Sequence, residues 1–376
     1  MQRGAARRVL VAPDKFKGSL TAEQGAAALR DGLLALRPEL DVVLLPVADG
    51  GEGTLAAAVV AGYQRVDVTA AGPTGQPVDT AYARRGDRAV VELADVSGLA
   101  RLPGGRPAPT TATSRGTGQV LAAALDAGCR QVVLGIGGSA CTDGGAGLLQ
   151  ALGARLLDAD GAELPPGGAA LSGLHAVDLR GVHPALSATE LVVACDVDHP
   201  LTGPTGAAAV FGPQKGASPQ DVAQLDAALE RFADVVSGAV GLDHRTAPGA
   251  GAAGGVGFAA LAVLGARLQP GVQLVLDLLD FDRALRGTDL VVVGEGSLDE
   301  QSLHGKAVVG VAAAARAASV PVVAVVGRCS LSAAQLRAAG LDAAYALLDV
   351  EPDPAVCLRD ADALLRRLAV RLLAHL

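Results

Sequence analysis

The residues best suited to chemistry lie in a glycine-rich segment, GIGGSACTDGGAG, over residues 135–147. A short apolar run typical of a strand precedes this segment, and an Ala/Leu pattern typical of a helix follows it. Backbone N–H groups at such a turn, with the helix dipole behind them, bind anions and most often phosphate. The turn also carries Asp143, which could hold a cation or accept a proton.

The combination of strand, glycines and acid recurs twice more in the chain. It appears as DVVLLPVADGGEGT over residues 41–54 and as DLVVVGEGSLD over residues 289–299. These segments contribute the acids Asp49, Glu52 and Glu295. One such turn is a weak signal, whereas three in one chain predict a site that binds phosphate and a metal ion.

Lysine is rare in this chain and is confined to glycine-bearing loops. The sequence has 27 arginines but only four lysines, Lys15, Lys17, Lys215 and Lys306. They lie in DKFKGSL, FGPQKGAS and SLHGKAV. A compact ammonium suits contact with phosphate or carboxylate. For any single one of them, a solvated surface lysine is an equally good interpretation.

The composition limits which classes of protein are possible. The 376 residues suffice for two domains, and a chain that is 50% hydrophobic with only 2% aromatic residues builds its cores from Ala, Val and Leu. A net charge of −8 and the lack of tryptophan argue against nucleic-acid and membrane partners. We expect no signal peptide or membrane span. The five scattered cysteines indicate a reduced, cytoplasmic setting, and a homo-oligomer is one option.

The order of predicted elements indicates an α/β fold with two domains. Strands and helices alternate at both chain ends, which predicts a doubly wound parallel-sheet domain formed by residues 1–72 and 286–376. A mixed α/β domain, residues 73–285, is inserted into it. It is expected to contain one hairpin across Gly86-Asp87 and another over residues 154–164.

Polar residues follow the predicted strands at their carboxyl ends, where ligands bind in parallel sheets. Asp14 and Lys17 follow the first strand, and Asp196 follows a strand over residues 190–194. Arg115, before a predicted helix, could bind a substrate carboxylate in a bidentate manner. We expect these groups to meet in a cleft between the domains, although an isolated acid more often caps a helix or turn.

A dinucleotide-binding site is the competing interpretation. GIGGSA over residues 135–140 matches G-x-G-x-x-A after a strand, and Asp158 lies near the distance expected for a ribose-binding acid. Against it, Asp143 would repel an unscreened diphosphate. The chain lacks the P-loop pattern GxxxxGK[ST] and the protein-kinase motifs, so a kinase here would belong to another structural type.

Taken together, these motifs resemble the type I glycerate kinases, or glycerate 2-kinases, over nearly the whole chain. The resemblance is carried by VAPDKFKGSL, PVADGGEGT, TSRGTG, GIGGSACTDGGAGLLQALGA, CDVDHPLTGPTGAAAVFGPQKGAS, PGAGAAGGVGFA and GEGSLDEQSLHGK. It implies phosphorylation of D-glycerate at the 2-hydroxyl group by ATP and Mg²⁺. Alternatives that stay open are phosphorylation at the 3-hydroxyl, a NAD(P)-dependent dehydrogenase of a small hydroxy acid, and a non-catalytic sensor.

The resemblance also implies roles for individual residues. The expected catalytic residues are Asp196, which would orient or deprotonate the hydroxyl, Lys17 and Lys306. The expected substrate-binding residues are Asp14, Arg115, Ser139 and Lys215. The expected nucleotide-binding residues are Gly137, Gly138, Gly254, Gly255 and Gly296, and the expected metal ligands are Asp49, Asp143 and Glu295.

One departure from the family pattern concerns charge. Ser297 stands where relatives with a GEGR motif carry an arginine. If that arginine helps to neutralise the transferred phosphate, another cation must compensate in this chain. Lys306 is the nearest candidate in the sequence.

Overall fold

Strands and helices alternate through most of the computed structural model, which describes residues 7–303 and 306–376. The strands are β1 Arg8–Pro13, β2 Asp41–Leu44, β3 Gln64–Ala71, β4 Pro77–Arg85, β5 Arg88–Glu92, β6 Gln131–Gly135, β7 Arg155–Leu157, β8 Ala176–Asp178, β9 Glu190–Ala194, β10 Arg267–Gln269, β11 Leu290–Leu298, β12 Val322–Cys329 and β13 Ala343–Ala346. The helices are α1 Ala22–Leu36, α2 Thr54–Val60, α3 Ala94–Ser97, α4 Arg115–Asp126, α5 Ala146–Ala151, α6 Ala207–Phe211, α7 Pro219–Val240, α8 Ala252–Ala262, α9 Gly271–Leu278, α10 Phe281–Ala284, α11 Ala307–Ala317, α12 Ala333–Ala338, α13 Pro354–Arg359 and α14 Ala361–Leu372.

Helix α1 illustrates how local sequence sets these bounds. The hydroxyl of Thr21 accepts the backbone N–H of Gln24 at 3.2 Å, and the Gln24 side chain accepts the N–H of Thr21 at 3.0 Å. This reciprocal capping box satisfies two of the N–H groups that a helix start leaves unpaired. The spacing of three residues between Thr21 and Gln24 is typical of this motif.

The first of two compact units consists of residues up to Asp49, Ala56–Ala61 and Val272–Leu376. Its five-stranded sheet is parallel throughout, in the order β13-β12-β11-β1-β2. Alternate residues of the same strand enter different cores, with Leu10 of β1 in one and Val9 in the other. A sheet covered on both faces needs such continuous apolar strands. The predicted doubly wound sheet built from both chain ends is therefore confirmed.

The second unit consists of Gly50–Leu55 and Gly62–Gly271. Its six-stranded sheet has the order β10-β9-β6-β5-β4-β3, with antiparallel pairing of β3 with β4 and of β4 with β5 and parallel pairing elsewhere. A separate two-stranded sheet pairs β7 with β8. The mixed character of this unit agrees with the α/β prediction.

The two units divide the chain at positions that differ from the expected ones. Strand β3 was assigned to the doubly wound domain, but it pairs with β4 in the second sheet, so the division falls before residue 72. At the other end, Val275 and Phe281 pack into a core of the first unit. The division there follows Gly271 instead of residue 285.

Two local expectations also need correction. The GEGSL segment continues β11 as a strand, because Gly294, Glu295 and Ser297 pair with β12. Strand β7 pairs with β8, whereas residues 154–164 form only a single bridge across the turn. Near the C-terminal end, α13 and α14 are separated by a break at Asp360. Within residues 7–303 and 306–376, none of the helices combines the length and apolarity that crossing a bilayer requires.

Candidate active site

Several predicted site residues of the first unit lie where its strand order reverses. Strand β1 has β2 on one side and β11 on the other, and the chain then continues outward through β12 and β13. Pro13 pairs with Gly294, and the backbone N–H of Asp14 donates to the Gly294 carbonyl at 2.8 Å. Asp14 and Glu295 therefore lie together at the carboxyl edge of the sheet. In doubly wound proteins this crevice is the usual ligand site.

The other acids at this edge shift the pKa of Asp14. Burial raises the pKa of Asp14 to about 7, and the negative charges of Asp49 and, more weakly, Glu295 add to the rise. The charge of Lys15 and its backbone N–H, which donates to Asp14 Oδ1 at 2.6 Å, act in the opposite direction. Perturbed carboxyl groups of this kind cluster at functional sites.

Glu295 supplies an observation that bears on metal binding. Burial raises the pKa of Glu295, and the nearby Lys306 ammonium, 3.6 Å from Oε2, offsets part of that effect. Its other oxygen, Oε1, is buried and has no hydrogen-bond partner in the part of the chain that the structure describes. A buried carboxylate oxygen normally finds a donor or a cation.

The donor set at this edge suits Mg²⁺ better than a metal held entirely by protein. Across residues 7–303 and 306–376, no group of three or more His, Cys, Asp or Glu side chains is arranged to hold a metal ion. Mg²⁺ is commonly held by only one or two carboxylates together with substrate phosphates. The unpartnered Oε1 of Glu295 fits that mode of binding, with Asp49 as the second candidate ligand.

In the absence of a cation, the negative charge of Asp14 should lower the free energy of unfolding. We expect Asp14→Asn to raise the free energy of unfolding by about 1–3 kcal/mol at pH 8 in a chelating buffer. The pKa of Asp14 is about 7 in the folded protein against 3.8 as its ordinary value. The wild type therefore loses stability as the pH rises between these values, and the gain from Asn should grow over the same range. Urea unfolding at several pH values measures this, and a gain independent of pH would contradict it.

Lys306, Lys17 and Gly296 lie at the same edge. Lys306 Nζ donates to the buried Ser302 hydroxyl at 3.2 Å, and that hydroxyl donates to the Ser297 carbonyl at 3.1 Å. A Cβ atom at Gly296 would lie 3.1 Å from the backbone nitrogen of Lys17, so a larger residue would push the Lys17 loop away. The Lys17 side chain is exposed.

Asp143, in the second unit, has a different environment from the one expected. Its carboxylate is fully buried and accepts five hydrogen bonds. The donors are the backbone N–H groups of Ser114 at 2.8 Å, Gly145 at 3.1 Å and Gly147 at 3.2 Å, and the hydroxyls of Ser114 at 2.9 Å and Thr113 at 3.2 Å. Four of these donors lie on Oδ2, whereas Oδ1 accepts only the Gly145 N–H. The carboxylate joins the TSRGTG loop to the glycine-rich turn, and its role as a metal ligand stays a prediction.

Lys215 reaches the same turn from another loop. Its ammonium is 2% exposed and donates to Ser139 Oγ at 2.9 Å and to the Cys141 carbonyl at 2.5 Å. Burial lowers the pKa of Lys215, while the nearby Cys141 and Asp143 oppose that shift. In the described part of the chain, no carboxylate lies within salt-bridge distance of this ammonium. The Lys215 ammonium is thus held against the Ser139 hydroxyl.

Asp196 and Arg115 occupy more open positions. Asp196, after β9, is exposed, and its Oδ1 accepts the backbone N–H of Gly271 at 2.8 Å. Arg115 is the first residue of α4 and its side chain is exposed. Its backbone N–H donates to Thr113 Oγ1 at 3.2 Å, which ties it to the loop that holds Asp143. Their predicted roles stay predictions.

Comparison with known proteins decides the family. A sequence profile of the glycerate kinase family matches residues 9–376. The chain belongs to this family. It is 45% identical over 344 residues to a glycerate kinase of Bacillus subtilis strain 168, covering 91% of this chain and 90% of that protein. It is 41% identical over 345 residues to a glycerate 2-kinase of Escherichia coli K12, covering 91% and 90%.

A solved structure of a protein provisionally assigned as glycerate kinase 2 from Salmonella typhimurium LT2 is also similar. The two superpose with a TM-score of 0.82 at 41% identity, covering 98% of this chain and 99% of that one. The recognition of the family from its motifs is thus confirmed.

In this member of the glycerate kinase family, close packing against neighbouring backbone explains why most of the predicted nucleotide-binding positions are glycine. A Cβ atom at Gly137 would lie 2.7 Å from Gly51 Cα, one at Gly254 only 2.1 Å from the Cys141 carbonyl oxygen, and one at Gly255 2.7 Å from Gly144 Cα. Gly138 has φ +74°, which favours glycine. Contact of these four residues with a nucleotide remains a prediction.

The dinucleotide interpretation disagrees with the family and with the local geometry. A dinucleotide-binding helix begins within the glycine pattern, whereas α5 begins only at Ala146, six residues after Ala140. Asp158 lies in a turn, where its Oδ1 accepts the backbone N–H groups of Asp160 and Ala162, both at 2.9 Å.

Glu92 was missed in the sequence. Its buried carboxylate, at the end of β5, accepts the N–H groups of Leu55 at 2.9 Å and Gly53 at 3.2 Å. It thereby anchors the ADGGEGT loop at the start of α2, where an acid complements the helix dipole. The sequence signal that could have identified Glu92 is a single acid at the end of an apolar strand.

Proposed function

We propose that the protein is an ATP-dependent kinase that phosphorylates D-glycerate at its 2-hydroxyl group and releases 2-phosphoglycerate and ADP. The observation that carries this proposal is the set of acids and lysine at the strand reversal of the first unit, where Glu295 Oε1 has no hydrogen-bond partner among the residues that the structure describes. Membership of the glycerate kinase family supports the choice of acceptor. The Escherichia coli relative named glycerate 2-kinase supports the 2-position.

In this proposal the first unit binds the phosphate chain of the nucleotide. Glu295 and Asp49 would hold Mg²⁺, which when bound neutralises part of the charge on the phosphates. Lys306 and Lys17 would oppose the negative charge that spreads over the transferred group. Asp14, which lies among acids, is better suited to accept a hydrogen bond from a hydroxyl group than to bind the glycerate carboxylate.

The second unit would bind glycerate. Ser139 and the exposed Arg115 would bind its carboxylate, since an arginine can contact a carboxylate through two parallel hydrogen bonds. The buried Lys215 would act through Ser139, by orienting its hydroxyl and by adding positive potential to the turn. Asp196 would accept the proton of the 2-hydroxyl as that oxygen attacks the γ-phosphorus.

The setting we propose is the cytoplasm. Cys129, Cys141, Cys195, Cys329 and Cys357 are all free thiols. Burial raises the pKa of Cys141 and of Cys195, so these thiols stay protonated and are weak nucleophiles. Free, unreactive cysteines agree with a reducing compartment.

One experiment tests reaction class and position together. The protein is incubated with D-glycerate, ATP and Mg²⁺, and the product is identified by ³¹P NMR with proton coupling. We expect a doublet, since a phosphate on the 2-oxygen couples to the single proton of that carbon. A triplet from the two protons at the 3-position would refute the position, and no phosphoglycerate at all would refute the proposed function.

A further inference from the structure

The strand that carries Glu295 is paired with a strand that presents an arginine. In the parallel pairing of β11 with β12, Ser297 is the register partner of Arg328. The Nε–H of Arg328 donates to Ser297 Oγ at 2.8 Å, and Ser297 Oγ donates to Asp299 Oδ2 at 3.0 Å. Arg328 is thus oriented by a neutral hydroxyl instead of by a carboxylate.

The rest of the Arg328 guanidinium is open to solvent. Arg328 is exposed, and in the part of the chain that the structure describes its two terminal nitrogens have no hydrogen-bond or ion-pair partner. Many other arginines of the protein are paired, as Arg366 is with Asp31 and Asp362. A guanidinium held only at Nε presents its two terminal nitrogens in parallel, which matches two oxygens of one phosphate.

Arg328 belongs to the same side-chain network as the acids at the strand reversal. The Ser297 carbonyl accepts the Ser302 hydroxyl, and the Ser302 hydroxyl accepts Lys306 Nζ. Lys306 in turn lies 3.6 Å from Glu295 Oε2. Two cations, Arg328 and Lys306, are therefore linked through Ser297 and Ser302 at the carboxyl edge of one sheet.

We propose that Arg328 binds the β- and γ-phosphates of the nucleoside triphosphate, with Ser297 as its positioning residue. This inference rests on the proposed function, because it takes the strand reversal to be the nucleotide site. Arg328 supplies there a cation that the GEGSL motif itself does not contain. A lysine would reach the same region as a point charge but could not bind two oxygens in parallel.

The test measures nucleotide affinity by calorimetry in the absence of glycerate. We expect Arg328→Gln to weaken binding of Mg-ATP about 10- to 100-fold and to leave binding of AMP nearly unchanged, because AMP lacks the β- and γ-phosphates. Arg328→Lys should recover part of the loss. Ser297→Ala should weaken Mg-ATP binding by a few-fold, since the guanidinium stays but is no longer oriented. Arg286→Gln, which removes an exposed arginine elsewhere in the same unit, is the matched control and should bind like the wild type.

A rescue variant tests the location. Because Ser297 and Arg328 are register partners on adjacent strands, an arginine at either position reaches the same place. We expect Ser297→Arg combined with Arg328→Gln to regain most of the Mg-ATP affinity. Wild-type affinity for Mg-ATP in Arg328→Gln, or an equal loss for AMP, would overturn the inference.

The two proposals fail in distinguishable ways. If the wild type binds Mg-ATP through Arg328 but forms no phosphoglycerate, the proposed function is wrong and the assignment of Arg328 stands. If the wild type phosphorylates glycerate while Arg328→Gln keeps its KM for ATP and its kcat, the assignment of Arg328 is wrong and the proposed function stands. Absence of nucleotide binding in the wild type would overturn both.

Discussion

Lys215→Met should lower kcat/KM for glycerate about 100- to 1,000-fold, the cost of removing one preorganised electrostatic group from an active site. The ammonium is buried and directs its hydrogen bonds to Ser139 Oγ and the Cys141 carbonyl. Without it, the Ser139 hydroxyl loses its fixed orientation and the turn loses a positive charge. Because the ammonium does not face solvent, we expect most of the loss in the KM for glycerate and little change in the KM for ATP.

The fold should tolerate this change. Within residues 7–303 and 306–376 the buried ammonium has no carboxylate at salt-bridge distance, which opposes folding. An apolar residue of similar length removes that penalty, so we expect the stability to change by less than about 2 kcal/mol. Arg231→Met is the control, since Arg231 also donates to a carbonyl in the second unit, that of Leu174 at 2.7 Å. Thermal unfolding with steady-state kinetics separates the alternatives. A folded Lys215→Met protein with wild-type kinetics would contradict the assignment, and so would a loss of activity explained by unfolding.

Asp196→Asn should lower kcat about 100- to 10,000-fold, the usual contribution of a general base, with the KM values nearly unchanged. The amide keeps an oxygen that can accept the Gly271 N–H, now made by Oδ1 at 2.8 Å, but it cannot take a proton. Steady-state kinetics provides the measurement.

Two further variants make the Asp196 result specific. Asp198→Asn removes an exposed carboxyl group of the same loop and should keep wild-type turnover. Asp196→Ala also removes the acceptor of the Gly271 N–H and should cost about 1 kcal/mol of stability beyond its effect on kcat. If Asp196→Asn turns over glycerate at the wild-type rate, another group accepts the proton.

Apolar runs that end in acids were enough to predict much of the first unit. Parallel strands share a carboxyl edge, so residues that follow β1 and end β11 must lie near each other even though they are far apart in sequence. This reasoning predicts from the sequence alone that Asp14 and Glu295 lie close together. It could not show that Glu295 Oε1 has no hydrogen-bond partner within the described ranges, because that depends on how neighbouring side chains pack.

Contacts between separate loops could not be predicted from the sequence. Asp143 was visible as an acid in a glycine-rich turn, but its donors Thr113 and Ser114 come from a loop about thirty residues earlier, at a separation of 29 for Ser114. Arg328 was overlooked for a similar reason, since its contact with Ser297 depends on the register of two strands. Neither a hydrogen-bond partner at this separation nor a strand register follows from local periodicity.

The order of strands in the first sheet has a consequence for synthesis on the ribosome. Strand β1 pairs with β2 on one edge, but its other neighbour, β11, follows the whole second unit, and the backbone N–H of Arg8 bonds to Asp289 across a separation of 281 residues. At translation rates of about 5–20 residues per second, the open edge of β1 waits on the order of 15–60 s for its partner. During that interval the nascent chain exposes an apolar, unpaired strand edge, which is a site of aggregation until β11 is made.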